Sequence, residues 1–111
     1  MVDDHPGFRS LARRLLVAEG FDVVGEAGSG VMALESVRRL RPQIVLLDVQ
    51  LPDLDGFEVA RRLAEEGIGT ATVLISTRDS TAYRRRLKSS PALGFIPKCK
   101  LSGAALAELV G

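Results

Sequence analysis

The sequence predicts an α/β domain in which a parallel sheet carries helices on both faces. Three observations point there. Strand-like and helix-like segments alternate from one end of the chain to the other. Ile44 to Leu47 is an unbroken apolar run, the pattern of a strand covered on both sides. At 111 residues and 46% apolar content the chain is one domain, long enough to close a single core without staples.

Each element follows from its own pattern. Pro6 to Glu19 places Phe8, Leu11, Ala12, Leu15 and Leu16 on one helical face, with Pro6 suited to a first helical position and Gly20 to the stop. Phe21 to Ala27 is a short β-rich run. Ser29 to Leu40 repeats apolar residues at Val31, Leu34, Val37 and Leu40, a second helix that Pro42 ends. After the Ile44 strand, Gly56 to Glu66 reads as a third helix, Thr72 to Ser76 as a strand and Ser80 to Lys88 as a short helix. Phe95 to Pro97 is a last strand, and Ser102 N-caps a helix running to Leu109. Right-handed crossovers then make the sheet parallel.

Composition narrows the function. A net charge of +1 gives no general electrostatic reason to bind nucleic acid or an anionic membrane. The single cysteine, Cys99, excludes an internal disulfide and suits a reducing compartment. No apolar run approaches the roughly 20 residues of a membrane span, and the start lacks a signal-peptide pattern. The expectation is a cytoplasmic domain.

In sheets of this kind the functional site lies outside the carboxyl ends of the strands. That rule brings together Asp48 at the end of the Ile44 strand, Ser76 at the end of the Thr72 strand, Lys98 after the Phe95 strand, and Asp3 and Asp4 behind the strand stub Met1–Val2. Two carboxylates at about 4 Å repel by roughly 4 kcal/mol at an effective dielectric of about 20. Such a cluster calls for a cation or for a proton that neutralises part of it; all-oxygen ligands favour a hard divalent ion, with an open hydrated site suiting Mg2+. A metal, an ammonium and a hydroxyl around one carboxylate clamp a phosphoryl group, so the predicted chemistry is phosphoryl transfer onto an aspartate.

The chain resembles the receiver domains of bacterial two-component response regulators. The motifs that carry the resemblance are VDDHP (Val2–Pro6), LLDVQLPDLDG (Leu46–Gly56), VLIST (Val73–Thr77) and GFIPK (Gly94–Lys98), in this order and spacing. The resemblance implies a flavodoxin-like three-layer sandwich whose five-stranded sheet has the order 2-1-3-4-5, here with a shortened first strand. It implies a single receiver domain over residues 1–111, with no output domain visible. Asp48 is implied as phospho-acceptor from a sensor histidine kinase, making the protein a signalling switch rather than an enzyme. Asp4 and Asp48 would bind Mg2+ directly, Gln50 through its backbone carbonyl and Asp3 through a water. Lys98 would pair with the phosphoryl oxygens, Ser76 would donate its hydroxyl to them, and Phe95 would be the aromatic switch. The resemblance further implies a downstream output protein or separate output domain, and leaves room for a homodimer through the 80–109 face.

Plainer readings stand beside these. Asp3 or Asp4 could cap the first helix, Ser76 could cap a turn, Phe95 could be core, and His5 could be merely solvated. The basic run Arg84, Arg85, Arg86 and Lys88 reads as a solvated face. In the loop, Asp55 reads as the N-cap of the third helix and Asp53 as solvated. Four other readings stand beside the acceptor reading, and two of them fail on the sequence. One is a receiver-shaped interaction module that is not phosphorylated. Another is a dinucleotide half-domain, since GSGVMA (Gly28–Ala33) matches the phosphate-binding glycine pattern ahead of a helix. A haloacid-dehalogenase-like phosphatase needs a second acid where Gln50 stands, and an EF-hand loop fails at Leu51 and Arg62.

Overall fold

The computed structural model describes residues 1–111. Its elements are α1 (Pro6–Ala18), α2 (Gly30–Leu40), β1 (Ile44–Asp48), α3 (Gly56–Glu65), β2 (Ala71–Ser76), α4 (Arg84–Ser89), β3 (Gly94–Pro97) and α5 (Gly103–Val110). A 3₁₀ turn, Ser80–Tyr83, leads into α4, so the short helix expected from Ser80 to Lys88 is split in two. A second 3₁₀ turn, Lys98–Lys100, follows β3.

The three strands pair in parallel in the order β1-β2-β3, with Asp48 beside Ile75 and Ser76 beside Pro97. Pro97 therefore sits on an edge strand, where a missing N–H costs no ladder bond. Val2 extends the sheet on the other side through single parallel bridges to Leu47 and Ala27. The spatial order is thus Ala27, Val2, β1, β2, β3, which is the 2-1-3-4-5 order with its first two members reduced to one residue each.

The run Phe21–Ala27 is not a strand apart from that bridge. Its neighbour in the sheet would be the segment ending in Met1–Val2, and two residues offer too few backbone groups to pair along it. Between residues 21–26 and β1 lies a groove of about 490 Å³, lined by Met1, Phe21, Val23, Ile44 and Leu46 among others.

Strand alternation sorts the core into two layers. Val45, Leu47 and Leu74 pack with Ala33, Leu34 and Val37 of α2 and with Phe57, Val59, Ala60 and Leu63 of α3. Leu46, Val73, Ile75 and Ile96 pack on the other side with Ala12 and Leu16 of α1 and Leu106 of α5. The outcome is the expected three-layer sandwich.

Local chemistry fixes the helix ends. Arg41 takes a left-handed φ of 47° to close α2 immediately before Pro42. Asp55 Oδ1 accepts from Glu58 N–H at 2.9 Å as the N-cap of α3, and Ser102 Oγ accepts from Ala105 N–H at 3.0 Å as that of α5, both as expected. The α1 N-cap is His5 without a side-chain bond, so neither Asp3 nor Asp4 serves there. Gly56 donates to the Val49 carbonyl at 2.9 Å, and a Cβ on it would lie 2.5 Å from the Asp48 carbonyl oxygen. Only glycine lets α3 start this close to the end of β1.

Candidate functional site

The mouth of β1 gathers acids from two parts of the chain. Val2 N–H donates to Leu46 O at 2.8 Å and Asp48 N–H to Val2 O at 2.9 Å, which places Asp3 beside the end of β1. Asp3 is fully buried and Asp48 is 3% exposed, whereas Asp4 is open to solvent. Carboxylate oxygens of Asp3, Asp4 and Asp48, together with a ring nitrogen of His5, all lie within 4.8 Å of one another.

Lys98 supplies the counter-charge. Its Nζ lies 3.0 Å from Asp48 Oδ2 and 2.5 Å from Asp3 Oδ2, and it sits 4.5 Å above the Phe8 ring centroid. The 3₁₀ turn after β3 carries it there. Asp48 Oδ1 accepts from Gln50 N–H at 3.0 Å. Asp3 Oδ1 accepts from His5 N–H at 2.8 Å and meets His5 Nδ1 at 3.0 Å. Asp3 Oδ2 touches Lys98 but has no aligned hydrogen bond.

The acids differ in proton affinity. Burial pushes the Asp48 carboxyl above the ordinary aspartate range, and Gln50 N–H and Lys98 reverse only part of that while Asp3 adds to it. Burial also pushes Asp3 up, but Lys98 and the His5 contacts outweigh it and leave Asp3 below its ordinary value. Burial pushes Lys98 down, and the two carboxylates more than compensate, so it stays charged. Asp48 is thus the more basic of the two buried acids, and its neighbour Asp3 is the firmly ionised one.

The donor set fits a hard divalent cation: three carboxylates on one small volume, one fully buried with its Oδ2 lacking an aligned hydrogen bond, one exposed to solvent where water ligands can complete the shell. His5, expected to be solvated, is 70% exposed yet touches both Asp3 and Asp4 at 3.0 Å.

The remaining residues fall around this centre. Ser76 is fully buried at the end of β2; its Oγ accepts from Arg78 N–H at 3.1 Å and shares a hydrogen bond with Tyr83 OH at 3.1 Å. Phe95 is half-buried and packs on Tyr83, with ring centroids 5.8 Å apart. Of the basic run, Arg84, Arg85 and Lys88 are exposed as expected, whereas Arg86 pairs with Asp55 at 2.5 Å and lies 4.2 Å from the Phe57 centroid.

Two roles were not visible in the sequence. Asp53 is exposed, yet its carboxylate accepts from Gly30 N–H at 2.7 Å and Val31 N–H at 2.9 Å, capping α2 from a distant loop; these bonds hold its carboxyl below the ordinary range. Ser29 accepts from Met32 N–H at the same terminus. The helix end that the dinucleotide reading needs for a phosphate already holds a carboxylate, which overturns that reading. Tyr83 is the second, and the spacing of seven residues from Ser76 was its only trace.

Comparison with known proteins matches a family model described as response regulator receiver domain over residues 1–110. The response regulator GacA of Pseudomonas viridiflava is 35% identical over 99% of this chain and 50% of its own length. BvgA of Bordetella pertussis is 37% identical over 88% of this chain and 47% of its own. The chain spans about half the length of the curated relatives it matches. Among solved structures, the signal receiver domain of NarL from Mycobacterium tuberculosis superposes with a TM-score of 0.88 at 35% identity, covering 99% of this chain and 93% of that one.

Proposed function

This chain belongs to the response regulator receiver domain family, and from that premise we propose that Asp48 accepts a phosphoryl group from a sensor histidine kinase. The observation that carries the reading is the setting of Asp48: a buried carboxylate at a strand mouth, held by one ammonium at 3.0 Å and flanked by two further acids.

In the reaction, a carboxylate oxygen of Asp48 attacks phosphorus while the bond to the donor's leaving group breaks and that group departs with the electron pair. The product is an acyl phosphate. Lys98 neutralises charge on the phosphoryl oxygens, and Ser76 donates to one of them. Asp4, Asp48 and the Gln50 carbonyl are the groups that would hold Mg2+, with Asp3 supporting it from the buried side of the cluster. When bound, the ion offsets the charge of the acids and of the incoming phosphoryl group. Gln50 N–H and Lys98 fix the Asp48 carboxylate, so little reorganisation is needed before attack.

The readout is a conformational switch built on Ser76 and the aromatic residues behind it, including Phe95. BvgA carries the description of a transcription regulator; the switch in this chain is accordingly assigned to controlling an output carried by another segment or protein, in the compartment where the kinase domain works. No helix of the structure is long and apolar enough to cross a membrane.

The test is incubation with acetyl phosphate and Mg2+, read by intact mass. One added phosphoryl group that is absent in Asp48→Asn supports the reading. A folded, Mg2+-loaded sample that gains no mass overturns it in favour of a receiver-shaped interaction module.

A further inference from the structure

Ser76 points away from the acid it is meant to serve. Alternation along β2 sends its side chain with Leu74 toward the α2–α3 layer, while Asp48 follows Leu46 toward the α1–α5 layer. Its Oγ has two partners, the Arg78 N–H and the Tyr83 hydroxyl, and neither belongs to the acidic centre. Tyr83 is 8% exposed, and its ring is wedged between Phe57 and Phe95, each with a centroid 5.8 Å away. Packing from α3 and β3 thus aims the hydroxyl at Ser76. Phe95 has no hydroxyl and cannot hold Ser76 itself.

We propose that Tyr83 is a positioning residue whose hydroxyl holds Ser76 in its resting direction, so that capture of a phosphoryl oxygen by Ser76 frees Tyr83 and lets the 3₁₀ turn it closes shift as a unit. This rests on the reading of Asp48 as phospho-acceptor. Ser76 trades a neutral hydrogen bond for a charge-assisted one of roughly twice the strength. The buried Tyr83 hydroxyl then lacks a partner, which is costly unless the turn shifts to let it reach water. The segment from Ser76 to Tyr83, clasped at its two ends by one buried bond, is the element whose position reports the state of Asp48. Asp79 Oδ1 accepts from Thr81 N–H at 3.0 Å and keeps the turn itself folded, so it moves as a unit.

Tyr83→Phe keeps the ring in its stack and removes only the hydroxyl. Mg2+-loaded protein is titrated with beryllium fluoride, a phosphoryl mimic, and the bound fraction is followed by 19F NMR. Loss of one resting-state hydrogen bond lowers the half-saturating concentration roughly fivefold. In a Ser76→Ala background the same substitution leaves it unchanged, a dependence that a packing role would not produce. An unaltered or weakened response in Tyr83→Phe, or a gain that persists without Ser76, overturns the latch while the acceptor reading stands. Wild-type protein that takes up no beryllium fluoride overturns both.

Discussion

Lys98 and Asp48, fifty residues apart in the chain, meet at 3.0 Å, and the same ammonium touches Asp3. One cation therefore balances two buried acids. Replacing it with a neutral chain of similar length leaves the two carboxylates to repel each other in a poorly solvated site. In Lys98→Met the Asp48 carboxyl is expected to titrate at a higher pH than in the wild type, measured by 13C NMR without Mg2+. Phosphoryl gain from acetyl phosphate should slow by roughly 10²-fold, the usual scale for losing one charge-stabilising donor. An unchanged rate would remove Lys98 from the chemistry.

The raised proton affinity of Asp48 is also a statement about stability. Its ionised form is less favourable in the folded state than in the unfolded chain. That penalty is fully present above the folded-state value, and it vanishes below the ordinary aspartate value of about 3.9, where both states are protonated. Asp48→Asn should consequently melt higher than wild type at neutral pH without Mg2+, with the difference shrinking as the pH falls. Adding Mg2+ should reverse the order, since the ion stabilises the protein that binds it more tightly. Thermal melts across pH 4 to 8, with and without the ion, check both signs.

Asp53 and Asp55 show where the sequence stopped being legible. Asp55 lies three residues before the N–H it caps, a local pattern that any reader of the chain can find. Asp53 caps a helix that begins 23 residues earlier, and nothing in its neighbours announces that. The same divide separates the rest of the site. That Asp48, Ser76 and Lys98 stand along one edge was legible, because a parallel sheet puts every strand's carboxyl end on the same side. Tyr83 was not, because its partner is fixed by the path of a 3₁₀ turn, and turn paths leave no periodicity. The shortened second strand was hidden for another reason: Phe21–Ala27 has strand-like residues, but pairing depends on a neighbour that only Val2 provides.

The Asp53 cap is testable because it acts across two loops. Asp53→Ala removes the acceptor for Gly30 N–H and Val31 N–H, and water replaces it at the exposed end. Stability should fall by a few degrees in melting temperature. Asp53→Asn, which keeps an acceptor oxygen but loses the charge at the positive end of the helix, should fall by less. Amide hydrogen exchange should rise at Gly30 and Val31 in both variants and stay unchanged in α5, whose cap is independent. A uniform rise over the whole chain would instead mean that Asp53 holds the loop rather than the helix.

The groove beside β1 yields the last prediction. Met1 stands next to Val2 in the parallel pairing, so it lies opposite Leu46, and two residues placed before it would lie opposite Val45 and Ile44. There they would meet the unpaired backbone of β1 on one side and of residues 21–26 on the other. The Met1 ammonium now donates to Gly25 O at 3.2 Å, and burial pushes its pKa down although Glu26 partly opposes this. Adding Ile-Val ahead of Met1 turns that ammonium into a peptide N–H and fills the groove with β-branched side chains. Each fully buried side chain contributes about 1.5–3 kcal/mol, against about 1–2 kcal/mol for each ordered backbone residue. A net gain of about 1–2 kcal/mol is expected, read as a higher melting temperature. Adding Gly-Gly separates the two effects, because it moves the ammonium off Met1 without filling the groove with side chains. The charge-dependent part is present below the ordinary amine value of about 7.7–8.0 and disappears above it. The Gly-Gly variant should therefore lose any advantage at pH 9, while the Ile-Val variant keeps most of its own.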